Sequence, residues 1–259
     1  MLPDPNIAEL LTWARTKLKQ ASDAPDIDAQ RLLLHALKKA DTSWLYAHNE
    51  ERPTEQERKY FEQCIDRRSK GEPLAYILGS AEFYGRAFIV TPDVLIPRPE
   101  TEELIRTALA YIQKHRTEQP GLVIADIGTG SGCIAITLAC ELQDPRIRII
   151  ATDISPTALT IAKRNADNHN VTEFITFTQQ DMLEKLPSNS LNLIVSNPPY
   201  VPSAELNNPP TNETRGLAFE PRIALDGGVD GNTYIQEIIK SKIPAIIEGL
   251  HGNITTYNM

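Results

Sequence analysis

Residues 122–132 have the sequence LVIADIGTGSG, in which an apolar run leads into a glycine-rich segment. The run from Leu122 to Ala125 predicts a buried strand, and residues 131–142 predict the helix that follows it. Glycine tolerates the positive φ angles of a tight turn and leaves room for a ligand to lie against the backbone. The stretch therefore predicts a strand–turn–helix unit with a ligand site at the carboxyl end of its strand.

The alternation of strands and helices continues towards the C-terminus. Strands are predicted at residues 148–152, 174–178 and 191–195, and a helix is predicted at 156–168 with Pro156 in its first turn. Strands that alternate with helices are typical of right-handed crossovers and a parallel sheet, so the predicted fold class is α/β. Ligands of such sheets bind at the carboxyl ends of the strands, so the residues after each strand are candidate site residues.

Acidic residues stand at three of these strand ends. Asp126 lies two residues before the first glycine of the turn, Asp153 ends the second strand, and Asp181 follows the third. An acid in the place of Asp153 can accept from both hydroxyls of a ribose. Asp181 can accept from an adenine amino group, and Met182 can pack on the ring. Each acid taken singly has a second interpretation as a helix cap or a solvated side chain, but their recurrence at successive strand ends favours a nucleoside site.

The fourth strand runs into Asn197-Pro198-Pro199-Tyr200. A proline cannot donate a backbone hydrogen bond and fixes φ at about −65°, so this segment is stiff and its carbonyl groups are free to accept. Asn197 adds a side-chain acceptor, and Tyr200 adds a flat aromatic face. Two acceptors beside an aromatic plane suit a planar NH2 group, either an amide or the exocyclic amine of a nucleobase. The alternative is a proline-stiffened turn that only ends the strand.

Charge and composition narrow the class of partner. The chain of 259 residues is 41% hydrophobic and 23% charged, which is ordinary for a globular protein of one large domain or two smaller ones. Its net charge of −8 falls almost entirely on residues 76–259. An acidic C-terminal part lacks the electrostatic attraction that dominates nucleic-acid binding, so a protein or small-molecule partner is favoured.

The sequence also bears on location and metal binding. No stretch approaches the roughly 18 apolar residues of a membrane span, and the N-terminus has no signal-peptide pattern. The cysteines Cys64, Cys133 and Cys140 are odd in number and lack the spacing of metal ligands, which argues against a disulfide framework and a metal centre. We therefore predict a cytoplasmic protein that does not contact a membrane.

Residues 1–75 are predicted to form a bundle of helices. Apolar residues recur at helical spacing from Ile7 to Leu18 and from Ile27 to Leu37, the second segment behind a predicted N-cap at Asp26. A third helix is predicted from Thr54 to about Lys70. This bundle is a candidate substrate-recognition domain, and the alternative is a stabilising appendage.

A linker and a second domain follow the bundle. Residues 76–99 are predicted to contain a β-hairpin that turns at Gly85-Arg86, followed by a proline-rich segment. Thr101 is the predicted N-cap of the next helix, which has acidic residues in its first turn. Residues 100–259 make up the predicted catalytic domain.

Four further stretches stand in a fixed order along the chain: GEPLAY at 71–76, EFYG at 82–85, LIPRPETE at 95–102 and FEPRIALDGG at 219–228. Together with the glycine-rich turn and Asn-Pro-Pro-Tyr, they closely resemble the peptide chain release factor N5-glutamine methyltransferases. The resemblance implies a Rossmann-like, S-adenosylmethionine-dependent methyltransferase domain behind a helical recognition domain. It also implies methyl transfer to the side-chain amide nitrogen of the glutamine in the Gly-Gly-Gln loop of a release factor.

The resemblance and the strand-end residues together define two candidate sets, and neither includes a metal ligand. The cofactor set is Asp126, Gly128, Thr129, Gly130, Ser131, Gly132, Asp153, Asp181, Met182 and Asn197. The substrate set is Asn197, Pro198, Pro199 and Tyr200, of which Asn197, Pro198 and Tyr200 are the catalytic candidates. The Asn197 side chain and the Pro198 carbonyl are expected to accept the two N–H bonds of the substrate amide, with Tyr200 holding its plane. No residue is assigned as a general base.

The C-terminal end departs from the resemblance. A helix is predicted from about Tyr234 to Glu248, after which the family continues into a strand, another helix and a closing antiparallel pair. The tail at 249–259 is short and polar, so the C-terminal strands are expected to be missing. If residues 253–258 fail to pair, an open sheet edge would make the protein less stable, prone to self-association and weakly active or inactive. If that edge is covered, we expect a monomer.

Two other functions stay open at this point. A nucleic-acid adenine-N6 methyltransferase shares the tetrapeptide and the glycine-rich turn, but it should carry a basic, aromatic-rich recognition segment, and residues 1–75 are near neutral. A non-catalytic relative would bind release factors through the helical domain without turnover. The favoured prediction is an enzyme that binds release factors and has no direct contact with nucleic acid.

Overall fold

The computed structural model describes residues 4–115, 121–184, 186, 191–208 and 215–258. These residues form two compact units. The first comprises the described residues up to Gly79 together with Arg215–Phe219, and the second comprises the other described residues from Ser80 onwards. The hairpin that was expected within a linker therefore folds with the second unit.

The first unit is the helical bundle that the periodicity predicts. Its helices are α1 (Ile7–Leu18), α2 (Pro25–Ala36), α3 (Thr42–Ala47), α4 (Glu55–Ser69) and α5 (Leu74–Leu78). Capping boxes begin α1 at Asn6 and α4 at Thr54. The predicted N-cap at Asp26 is wrong, because α2 already begins at Pro25 and Asp26 lies inside its first turn. The helices α3 and α5 are too short to show a helical repeat in the sequence.

This bundle has an apolar core of its own. Leu10, Leu32, Leu33 and Phe61 are fully buried and pack in one cluster. Each such side chain contributes about 1.5–3 kcal/mol when it leaves water, so the repeating leucines stabilise the unit without help from polar contacts.

The second unit begins with a hairpin of β1 (Ser80–Phe83) and β2 (Arg86–Ile89). Tyr84 and Gly85 join the strands with φ angles of 51° and 69°. Positive φ at both central residues is the requirement of a type I′ turn. The turn thus lies one residue before the predicted Gly85-Arg86, because Tyr84 adopts a conformation that is usually left to glycine or asparagine.

A sheet with helices around it makes up the rest of the second unit. The strands are β3 (Leu122–Ile127), β4 (Ile147–Asp153), β5 (Ile175–Gln179), β6 (Leu193–Ser196), β7 (Ala245–Glu248) and β8 (Ile254–Tyr257). The helices are α6 (Thr101–His115), α7 (Cys133–Leu142), α8 (Pro156–Asn168), α9 (Ser203–Leu206) and α10 (Thr233–Lys240). Thr101 is the first residue of α6 rather than the predicted N-cap.

The strand order in this sheet is β5–β4–β3–β6–β7–β8. Neighbouring strands are parallel apart from the antiparallel pair of β7 and β8. The predicted α/β class with a mainly parallel sheet is therefore confirmed. The chain turns back between β3 and β6, and at such a switch point the loops on the two sides part and leave a crevice for a ligand.

The C-terminal predictions are wrong in two respects. The helix predicted from Tyr234 to Glu248 ends at Lys240, because Lys242 takes a φ of 61° and Pro244 cannot continue a helix. The residues that follow form β7, in which all four side chains are buried. The polar residues 254–257 form β8 and pair with β7, so two of the strands expected to be missing are present and β6 is flanked on both sides.

The isoleucines explain the error, since their spacing suits α10 but continues by chance into β7.

Within the described ranges, no helix has the length and apolar character needed to cross a bilayer.

Candidate active site

A cleft opens at the carboxyl ends of β3, β4, β5 and β6. Together with the open solvent at its mouth, it contains about 810 Å³ of empty space. Among its lining residues are seven of the candidate residues: Gly128, Gly130, Asp153, Asp181, Met182, Asn197 and Pro199. Side chains that the sequence analysis did not single out line it too: Val94, Leu95, Ile154, Gln180, Ile223 and Tyr234. The predicted nucleoside residues and the start of the tetrapeptide therefore share one cleft.

The glycine-rich turn has two kinds of glycine. Gly128 and Gly130 have φ angles of 71° and 55°, and a Cβ built on either would meet nothing within 4 Å. Gly132 instead faces the protein interior, where a Cβ would lie 2.7 Å from Ile136 and 3.1 Å from Ala162. The first two glycines therefore leave open space on the cleft, and the third lets α7 and α8 approach each other.

Asp126 lies beneath this turn and has no solvent exposure. One carboxyl oxygen, Oδ2, accepts from the Thr129 hydroxyl at 2.6 Å and from the Ala135 amide at 3.1 Å. The other, Oδ1, has no hydrogen-bond partner among the described residues. Burial raises the pKa of Asp126 to about 7. The turn is thus tied to a buried carboxyl group that keeps one acceptor unfilled.

Asp153 both orders the turn and lines the cleft. Its Oδ2 accepts from the Gly130 amide at 2.9 Å, and its Oδ1 accepts from the Ser155 amide at 2.9 Å, next to the start of α8. Burial raises its pKa, and these backbone hydrogen bonds oppose the rise. Asp153 can therefore both order the start of α8 and accept from the hydroxyl groups of a ligand, because each of its carboxyl oxygens keeps a second lone pair.

The wall opposite the turn is formed after β5. Met182 takes a φ of 37°, and the Gln180 amide donates from Nε2 to the Met182 carbonyl at 2.8 Å. Gln180 thus holds the bend that carries Asp181 and Met182 to the cleft. Nothing in the sequence distinguishes Gln180 from its neighbour Gln179, so its role depends on the fold.

The tetrapeptide follows β6, with Asn197 and Pro199 on the cleft. The Asn197 amide donates from Nδ2 to the Thr101 hydroxyl at 3.1 Å, which leaves its Oδ1 available to a ligand. Pro198 is buried and Tyr200 is half-buried, and neither is among the residues that line this cleft. Burial raises the pKa of Tyr200.

The two motif stretches around the cleft are joined by an ion pair whose carboxylate is buried. Glu220, whose side chain is 2% exposed, accepts from Arg98 at 2.5 Å and from the Ile96 amide at 3.1 Å. This contact sets the backbone beside Leu95 and Ile223, which are lining residues. The sequence analysis quoted both stretches for their resemblance and assigned them no task in the site.

Comparison with known proteins shows the family of the chain. The description "PrmC N-terminal domain" matches residues 9–79, and "Methyltransferase small domain" matches residues 107–213. The release factor glutamine methyltransferase of Rhodopirellula baltica is 36% identical over 94% of this chain and 81% of its own length. The chain belongs to the release factor glutamine methyltransferase family. Its relative from Koribacter versatilis is 40% identical over 89% of this chain and 78% of the relative.

A solved structure supports the fold alone. The catalytic domain of hMettl16, crystallised with the MAT2A 3′UTR hairpin 6, matches with a TM-score of 0.50 and 16% identity. The match covers 83% of this chain and 81% of that one. The family resemblance inferred from the sequence motifs is thus confirmed by relatives of much higher identity.

Proposed function

We propose that this chain transfers a methyl group from S-adenosylmethionine to the side-chain amide nitrogen, N5, of the glutamine in the Gly-Gly-Gln loop of peptide chain release factors. One observation carries the proposal. Asn197 stands at the cleft with its amide N–H held by Thr101, so its carbonyl oxygen is presented as an acceptor. An acceptor in that place suits an N–H donor such as a glutamine amide, and membership of the family supplies the class of substrate.

The residues of the cleft fit the methyl donor. Open space at Gly128 and Gly130 accommodates a ligand against the backbone, and the buried Asp126 carboxyl group holds the turn that carries them. Asp153 would accept from ribose hydroxyls, while Asp181 and Met182 would hold the adenine. When bound, S-adenosylmethionine supplies an electrophilic methyl group on a sulfonium. That chemistry leaves the protein with the tasks of alignment and charge stabilisation.

The substrate amide needs this help because its nitrogen lone pair is delocalised into the carbonyl. The Asn197 carbonyl and the Pro198 carbonyl would accept its two N–H bonds and fix its plane, with Tyr200 beside it. Alignment of this kind is worth about 7–11 kcal/mol of barrier. The same acceptors favour the positive charge that develops on nitrogen, because they are already oriented before the reaction begins. The N–CH3 bond would form as the S–CH3 bond breaks, with S-adenosylhomocysteine as the leaving group, and the amide proton would then pass to solvent.

A methyl-transfer assay with several acceptors tests the proposal. The chain is given S-adenosylmethionine with a tritiated methyl group and, in parallel, a class I release factor, the same factor with its Gly-Gly-Gln glutamine changed to alanine, DNA and RNA. Label is expected on the unaltered release factor alone, and peptide mass mapping should place it on that glutamine. Label on nucleic acid would instead identify an amino methyltransferase of bases. Binding of the release factor without any label would indicate a non-catalytic relative.

A further inference from the structure

Glu248, the last residue of β7, is buried in an unusual way. It has no solvent exposure, and neither of its carboxyl oxygens has a hydrogen-bond partner within the described part of the chain. A buried polar group without partners costs stability, typically about 1–3 kcal/mol and more for a charge. The alignment described above does not use this residue, so its burial there calls for a physical reason.

The sheet places Glu248 beside the catalytic candidate Asn197. In the parallel pairing of β6 and β7, Ser196 lies opposite Ile247, so the next residues, Asn197 and Glu248, are neighbours at the carboxyl ends of the two strands. Thr101, at the start of α6, is 2% exposed and accepts the Asn197 amide proton. Three side chains from three separate elements therefore converge below the cleft.

The numbers of donors and acceptors on these three side chains determine which of them donates to which. Thr101 has one hydroxyl proton, and because its oxygen already accepts from Asn197, that proton needs a different acceptor. The carboxyl group of Glu248 is the unfilled acceptor nearby. Burial raises the pKa of Glu248, while the Thr101 hydroxyl and the Asn197 amide lower it by favouring the charged form. The charged form is also favoured by Arg98 and opposed by Glu100.

We propose that Glu248 is a positioning residue for methyl transfer: it receives the Thr101 proton, Thr101 receives an Asn197 amide proton, and the Asn197 carbonyl is thereby kept turned to the cleft. The role rests on the proposed function of Asn197 as the acceptor for the substrate amide. Without Glu248, the Thr101 hydroxyl is free to donate to the Asn197 carbonyl, which would withdraw that acceptor from the substrate. When it is ionised, the Glu248 carboxyl group behind Asn197 also favours the positive charge that develops on the substrate nitrogen.

The test compares Glu248→Gln with wild type, because the two side chains have nearly the same shape. We expect kcat to fall at least about tenfold with KM for the release factor nearly unchanged, the pattern of an interaction made in the transition state. The unfolding midpoint without any ligand should stay the same or rise, because a buried charge is removed. Glu173→Gln makes the same chemical change at an exposed site and should alter neither quantity.

Variants of Thr101 test the same role independently. Thr101→Val should reproduce the loss of kcat, Thr101→Ser should restore most of it, and Thr101→Val combined with Glu248→Gln should be no worse than the poorer single variant. In an ¹⁵N spectrum of the free protein, the Asn197 side-chain NH2 signal should shift on Glu248→Gln. Calorimetric binding of S-adenosylhomocysteine should not change.

The outcomes separate this role from the proposed function. The positioning role alone would be overturned by a Glu248→Gln variant with wild-type kcat. It would also be overturned if the lower kcat of that variant were explained by a lower unfolding midpoint. A wild-type chain that binds S-adenosylhomocysteine yet methylates no release factor would refute the proposed function and this role with it. An unmoved Asn197 signal would also refute the role, whatever the turnover.

Discussion

The backbone of Gly231 lies directly against the carbonyl oxygen of Tyr200. A Cβ at position 231 would overlap that oxygen, and the φ of Gly231 is 74°, which other residues rarely adopt. Gly227 approaches the same segment, where a Cβ would lie 2.7 Å from the Tyr200 Cα. The loop after Leu225 therefore supports Asn-Pro-Pro-Tyr by close contact between main chains, which a side chain at either glycine would prevent.

Gly231→Ala should displace Tyr200, lower the free energy of unfolding by about 1–3 kcal/mol and reduce methyl transfer. Gly85→Ala is the matched control. Its φ is also positive, but a Cβ there meets nothing within 4 Å, so it should cost only the backbone strain of about 1–2 kcal/mol and leave kcat/KM unchanged. Denaturant unfolding and transfer assays measure both effects. Equal activity of the two folded variants would show that the loop does not position Tyr200.

Asn197→Ala should nearly abolish methyl transfer while sparing the fold, because Asn197 is only half-buried and faces the cleft. Loss of one oriented acceptor costs about 3 kcal/mol of transition-state stabilisation, or roughly a hundredfold in kcat/KM. Steady-state kinetics give this value, and thermal unfolding shows whether the variant is folded. Near-normal turnover by a folded variant would exclude Asn197 from the mechanism.

Asp153→Ala should weaken binding of S-adenosylmethionine without altering the choice of acceptor. A lost charge-assisted hydrogen bond is worth about 1.5–3 kcal/mol, or roughly 10–100-fold in Kd. The turn also loses the acceptor of the Gly130 amide, which adds to the effect. Calorimetry measures Kd, with Asp167→Ala on the exposed face of α8 as a control that should behave as wild type. An unchanged Kd would mean that Asp153 serves only to order the turn.

Asp126 predicts a dependence of stability on pH. Its pKa rises from 3.8 to about 7 on folding, chiefly through burial, so between these values the folded chain holds a proton that the unfolded chain has released. The contribution of this group therefore favours the folded state at low pH and is lost progressively as pH rises from about 4 to about 7, by roughly 4 kcal/mol in total. Above that range its contribution is constant.

Asp126→Asn removes this titration and keeps the shape of the side chain. The difference in unfolding free energy between the variant and wild type should accordingly shift in favour of the variant from pH 4 to pH 7. Urea denaturation at several pH values measures that difference. A pH-independent difference would show that Asp126 is ionised in the folded protein throughout this range.

Strand β8 covers the edge of β7, whose four residues are buried. Removal of residues 254–259 should expose that edge, lower the unfolding midpoint and cause self-association, because an open apolar strand is a template for pairing with another chain. Size-exclusion chromatography measures the association. Thr255→Lys keeps the pairing and adds charge to an exposed position, so it should elute like the full chain. A monomeric truncated chain of unchanged midpoint would show that β8 contributes little.

Short-range signals were enough to predict much of this protein. The strand, glycine-rich turn and helix at 122–142, the helix at 156–168 and the leucine repeat of the bundle depend on residues within a few positions of one another, and local propensity and periodicity capture such relations. The sequence motifs are sufficient to indicate the family. The cleft residues Asp153, Asp181, Met182 and Asn197 could be predicted for the same reason, since each lies at the end of a strand or within three residues of it.

Long-range contacts decided the rest. Whether isoleucines at 243–247 continue a helix or enter a sheet depended on Pro244 and on the neighbouring β6, and the polar segment at 254–257 became a strand because β7 offered it unpaired backbone groups. Thr101, Asn197 and Glu248 are far apart in sequence, and only the start of α6 and the ends of β6 and β7 bring them together. A buried carboxylate cannot be recognised from its neighbours in the chain, because burial is a property of packing and not of sequence.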